Sequence, residues 1–124
     1  MNAVLHLDAA DTRGHANALT VNGPLDHTTA AILDRTVEDA LRRHATVILD
    51  LTGVTFCDSS GLNTLIRLHR GAHSIGGQLA LAAPPAQMMR LLTTTGADRI
   101  FPIHGSLAEA WQTHPEPPDA QPTP

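Results

Sequence analysis

Apolar and polar positions change their spacing several times along the chain, and each change marks an element. Val4 to Leu7 is a short apolar run, Asp8 to Gly14 is rich in turn formers, and Ala16 to Val21 is a second run, so a hairpin is predicted here. After Asn22-Gly23-Pro24, Asp26 is suited to cap a helix that continues to about His44, because a carboxylate accepts from exposed first-turn amides. Ala30, Leu33, Val37, Ala40 and Leu41 form one apolar stripe of that helix. Glu38/Arg42 and Asp39/Arg43 are acid-before-base pairs four residues apart on its solvated side.

The run Thr46 to Leu51 is β-branched and apolar without alternation, as expected of a strand covered on both faces. A loop is predicted over Thr52 to Asp58. From Ser59 to Ile75 the helical period returns, with Leu62, Leu65, Ile66, Leu68, Ala72 and Ile75 inward and Asn63, Arg67, Arg70 and Ser74 outward, and Gly76-Gly77 closes it. Gln78 to Ala82 reads as a strand, Pro84-Pro85 opens a helix that Gly96 ends after Thr95, and Ile100 to Ile103 is a brief strand. Ser106 and Glu109 match a capping box for a last helix carrying Leu107, Ala110 and Trp111. Residues 1–113 are therefore expected to form one domain, and the proline-rich segment 114–124 a disordered tail.

The predicted order is β-β-α-β-α-β-α-β-α, an α/β fold with about four helices on a mixed, partly parallel sheet. Sites in such sheets gather where strands end and helices begin, which places Asp26 and the Asp58-Ser59-Ser60-Gly61 corner on one edge.

Composition narrows the partners. The 124 residues fit one domain and hold only two Phe, one Trp and no Tyr, so no aromatic platform exists for stacking bases. All eight basic residues are arginine and the net charge is −4, which removes the counterion release that drives nucleic-acid binding. Proteins or small molecules remain. The lone Cys57 excludes an internal disulfide and fits a reducing compartment. No basic leader and no run of about eighteen apolar residues occurs, so neither a signal peptide nor a membrane span is expected, and the cytoplasm is the expected compartment.

The corner from Val54 to Leu62 joins the best strand to the best helix, where first-turn amides point outward and tolerate an anion. Asp58, Ser59 and Ser60 there read first as a plain helix cap, and residue pattern alone does not promote Ser60 to a phosphorylatable serine, although Gly61 would let a partner approach Ser60 closely. His69 and His73 stand four apart, as two ligands of one metal can, but no paired cysteine motif accompanies them and solvated histidines are expected. Cys57 reads as a small buried thiol, and Met88 and Met89 as core. A serine hydrolase using Ser60, His27 and Asp26 would need a nucleophile elbow with flanking glycines, which is absent. Without a glycine-rich phosphate loop or any lysine, nucleotide is expected on a partner. No catalytic residue, metal or cofactor is assigned.

Val21 to Asp26 and Val47 to Leu62 resemble the STAS domains of bacterial anti-sigma-factor antagonists. Gly76 to Leu79, Ala83-Pro84-Pro85, Leu91 to Gly96 and Ile100 to Ile103 continue the resemblance in order, from about Val4 to Trp111. It implies a partner-switching protein that binds an anti-sigma factor when unphosphorylated and is released when phosphorylated. The implied partners are an anti-sigma factor with a histidine-kinase-like ATPase fold that acts as a serine kinase, and a PP2C-type phosphatase. The serine before the glycine, Ser60, is the implied phosphoacceptor, with Asp26, Asp58, Ser59, Gly61 and Leu62 at the docking surface. Pro24 replaces an acidic residue common in the family, and Cys57 a larger apolar one. The rival reading with the same fold is a constitutive STAS scaffold or transporter-associated subunit.

Overall fold

The computed structural model describes residues 4–113, so the expected tail over 114–124 lies outside the described residues. The elements are β1 (His6–Arg13), β2 (Ala16–Leu25), α1 (Ala30–Arg43), β3 (Thr46–Cys57), α2 (Ser59–Ser74), β4 (Gln78–Ala82), α3 (Ala86–Thr95), a 3-10 turn (Ala97–Arg99), β5 (Ile103–His104) and α4 (Leu107–Thr113). They make one sheet in the order β1-β2-β3-β4-β5, with β1 antiparallel to β2 and every other pair parallel. This is the mixed α/β architecture and element order that the hydrophobic pattern predicts.

Alternation within the central strands builds two cores. Val47, Leu49 and Leu51 of β3 and Leu79 and Leu81 of β4 face α1, α2 and α3. Between them, Ile48, Ala80 and Ala82 face the opposite side, where they meet Ala16, Ala18, Ala110 and Trp111 under α4. The small alanines let the Trp111 ring lie close to the sheet, and the Arg13 guanidinium covers it at 4.5 Å from the ring centroid. Both faces of β3 are thus buried, as its unalternating apolar run requires.

Several boundaries differ from the expected ones. β1 continues through the turn-rich stretch to Arg13, absorbing the extra residue in an irregularity between Ala9 and Asp11. Thr52 to Cys57, expected as a loop, is strand. Pairing with β2 overrides its turn-forming residues: Asn22 stands opposite Gly53 and Leu25 opposite Cys57, with register shifts on either side of Asn22-Gly23. A Cβ at Gly53 would lie 3.0 Å from the Val21 carbonyl oxygen of β2, tighter than ordinary side-chain contacts, so glycine there serves close strand approach and not a turn.

β5 is only Ile103–His104, because Ile100 and Phe101 close the preceding 3-10 turn and Phe101 plugs the core. α1 keeps its predicted stripe, with Leu33, Val37, Ala40 and Leu41 buried, and the Asp39–Arg43 pair forms at 3.0 Å. α2 buries Leu62, Leu65, Leu68 and Ala72, but Ile75, expected inward, is 65% exposed because it caps the helix beyond the last inward turn. Gly76, at φ 78°, turns the chain away there, and its amide and that of Gly77 close on His73 and Ala72. In the capping box of α4, Ser106 Oγ accepts from the Glu109 amide, while Glu109 accepts from the Gly105 amide in place of the expected Ser106 one. His69 is half-buried, not solvated, with its ring edge against Phe101 at 5.2 Å, whereas His73 is exposed.

Candidate functional site

β2 and β3 end side by side, and the carboxyl end of β3 runs directly into α2. Asp58 is the link. It keeps an extended backbone, φ −110° and ψ −174°, while its carbonyl already accepts from the Leu62 amide at 3.0 Å. Its Oδ1 accepts from the Ser60 amide at 2.9 Å and from the Gly61 amide at 3.1 Å, so two otherwise unpaired donors of α2 are satisfied. In turn the Asp58 amide donates to the Leu25 carbonyl at 3.1 Å, which ties the corner to the end of β2.

That tie explains Gly61. A Cβ there would sit 2.3 Å from the Leu25 carbonyl oxygen, closer than any side chain tolerates. Gly61 is buried, and its missing side chain lets α2 pack against the end of β2. Leu62, also expected at the docking surface, is a core residue at 3% exposure, so it holds the corner from beneath. Ser59 is exposed and Ser60 half-buried. Among the described residues neither hydroxyl makes a hydrogen bond, although the Ser60 carbonyl accepts from Thr64 Oγ1 at 2.9 Å.

Asp26 lies on the same edge, one residue past the end of β2, but it does not cap α1 as expected. Its carboxylate folds onto Thr28, accepting from the amide at 2.8 Å and from the hydroxyl. The Thr28 hydroxyl, ahead of the amides nearby, holds the Asp26 carboxyl below the usual range. Thr29 occupies the cap position of α1, buried, accepting from the Asp26 amide at 3.0 Å and donating to the Pro24 carbonyl at 2.8 Å. Asp26 stays half-buried and ionised beside the corner.

Two further residues of this edge were not among the expected site residues. Gln87, in the first turn of α3, clamps the end of β3: Cys57 N–H donates to its Oε1 at 2.9 Å, and its Nε2 donates to the Cys57 carbonyl at 2.7 Å. Phe56, two residues before Asp58, is 47% exposed. Its place in the Val54 to Leu62 corner of a chain with only two Phe and one Trp was the available signal. Cys57 itself is buried, and desolvation, aided by the Asp58 charge, pushes its thiol up to about 12. It is a neutral packing group, not a nucleophile. Among the described residues no three or more His, Cys, Asp or Glu side chains gather as a metal site, and no helix is long and apolar enough to cross a membrane.

The edge is thus a corner with an unbonded hydroxyl at a helix mouth, an exposed aromatic two residues before the capping aspartate, and a second carboxylate one residue past the adjoining strand end. The model of the STAS domain matches residues 9–110. This chain belongs to the STAS-domain family. Over 100 residues it is 29% identical to the anti-sigma F factor antagonist of Paenibacillus polymyxa, covering 77% of this chain and 86% of that one. The crystal structure of a putative anti-sigma factor antagonist from Thermotoga maritima superposes with a TM-score of 0.75 at 26% identity, over 88% of this STAS chain and 92% of the other. SpoIIAA, a Bacillus cell fate determinant, shares the fold at 19% identity and a TM-score of 0.73 in its unphosphorylated form, over 90% of this chain and 96% of that one. Its phosphorylated form superposes at 20% identity and a TM-score of 0.68, over 90% and 99%.

Proposed function

We propose that this STAS domain is a cytoplasmic, non-enzymatic anti-sigma-factor antagonist. It binds an anti-sigma factor through the β3–α2 corner and is released when that partner, a serine kinase of histidine-kinase-like fold, phosphorylates Ser60. A PP2C-type phosphatase restores the binding form. The observation that carries this reading is the Ser60 hydroxyl, accessible and unbonded at the mouth of α2. The names of the Paenibacillus and Thermotoga relatives support the antagonist role, and the two solved forms of SpoIIAA support a phosphate switch on this fold.

The geometry supplies a physical route for such a switch. A phosphoserine brings a charge of about −1.5 to −2 at neutral pH. At Ser60 that charge meets helix-terminal amides already held by the Asp58 carboxylate, so the dipole attraction is partly used and the nearest neighbour repels. The added group has to project outward, into the space a docked partner would occupy. Burying an unpaired dianion in a small interface costs several kcal/mol, on the order of a thousandfold or more in affinity. Asp26, Asp58 and Ser59 frame the docking surface, while Gly61 and Leu62 support it from below.

Incubating the protein with ATP and the anti-sigma kinase, then weighing the intact chain, tests the assignment. One phosphate-sized increment is expected, absent in Ser60→Ala. No increment, as a constitutive scaffold would give, or an increment that persists in Ser60→Ala, contradicts it.

A further inference from the structure

Away from this corner, a groove of about 330 Å³ runs along the outer surface of α1 and α2, lined in part by Glu38, Arg42, Gly71 and Ile75. Both helices return from the carboxyl end of one parallel strand to the start of the next, so they run parallel to each other. The Asp34–Arg67 ion pair, at 3.0 Å, sets their relative level. One helical turn further along both helices brings Glu38 level with Gly71, and another brings Arg42 level with Ile75.

The first of these three rungs is closed by its ion pair. The other two carry unmet features. Ile75 is an apolar side chain left 65% exposed. One turn above it, a Cβ on Gly71 would find no atom within 4 Å, so an open notch lies there. Glu38 and Arg42, expected to pair within α1, form no ion pair among the described residues, although Asp39 and Arg43 do.

We infer that this groove is an isologous contact between two copies of this chain, with the two-fold axis crossing between the second and third rungs. Such a contact requires each residue to meet a counterpart that meets it in return. With the helices antiparallel across the axis, Ile75 of each copy enters the Gly71 notch of the other, and Glu38 of each faces Arg42 of the other. Knob and notch stand one turn apart on α2, and acid and base stand one turn apart at the same levels on α1. Complementarity of shape and of charge in one register is what selects a second copy over a partner of different chemistry. The antiparallel pairing also sends the two Ser60 corners to opposite ends, where both remain accessible.

Sedimentation velocity of the full chain over a series from about 1 to about 300 μM tests the contact. A reversible monomer–dimer equilibrium is expected, weakened at least about tenfold by Ile75→Asp and by Glu38→Arg. The charge exchange Glu38→Arg/Arg42→Glu should restore it, and far-ultraviolet circular dichroism should be unchanged throughout, since all three positions lie on the surface. A chain that stays monomeric, a dimer that either single substitution leaves unaltered, or a double exchange that fails to restore pairing overturns the inference.

Discussion

Cys57 and Asp58 are adjacent yet their environments are opposite: the thiol is sealed under the corner, and the carboxylate caps a helix at its rim. Burial raises the thiol from its ordinary 9.0 to about 12, so the folded state holds that proton more tightly than the unfolded chain does. Stability from this source is complete below pH 9 and declines as pH rises from 9 towards 12. With no lysine and no tyrosine, no other side chain titrates in that window, which makes the effect separable. Urea midpoints at about pH 8 and about pH 10.5 should differ in the native chain and converge in Cys57→Ala. Gly61 gives a second expectation. Helix propensity alone favours alanine by about 1 kcal/mol, but a Cβ 2.3 Å from the Leu25 oxygen forces α2 off β2. We expect Gly61→Ala to destabilise the fold by about 1–3 kcal/mol, measured by urea unfolding. Asp58 and Ser60 were legible in the sequence because capping is local. The reason for Gly61 was not, since it depends on a strand end 36 positions earlier in the chain, Leu25.

Helices were the most legible elements, because an apolar stripe and a glycine stop are written in consecutive residues, as in α2 with Leu62, Leu65, Leu68 and Gly76. Strand ends were less so. Asn22-Gly23-Pro24 and Gly53 look like turns, and only their pairing across β2 and β3 keeps both segments extended as far as Leu25 and Cys57. Those longer strands matter to the site, because they deliver Asp26 and Asp58 to the same edge. The contribution of α3 was hidden for a similar reason: Gln87 meets Cys57 across thirty positions of sequence. Truncating this clamp as Gln87→Ala leaves a backbone donor and acceptor of β3 without partners. The expected cost is about 1–2 kcal/mol in denaturant unfolding, together with faster amide exchange at Cys57 and Asp58.

At the level of the whole molecule, two buried layers clamp β3, and this clamped strand carries the corner outward. α1, α2 and α3 fill one side and α4 the other, with Trp111 held between alanines and Arg13. A phosphate at Ser60 would therefore act on a surface whose scaffold has little freedom to relax around it. Because the core is not asked to move, the switch proposed here is a change of surface charge and not of fold. Isothermal titration of one purified anti-sigma partner with unmodified protein, with the Ser60-phosphorylated protein and with Ser60→Asp tests this most directly. The account predicts binding by the unmodified chain and affinity lowered by about a thousandfold once Ser60 carries phosphate, with Ser60→Asp weakened in the same direction. Equal affinity for the phosphorylated and unmodified chains would contradict it.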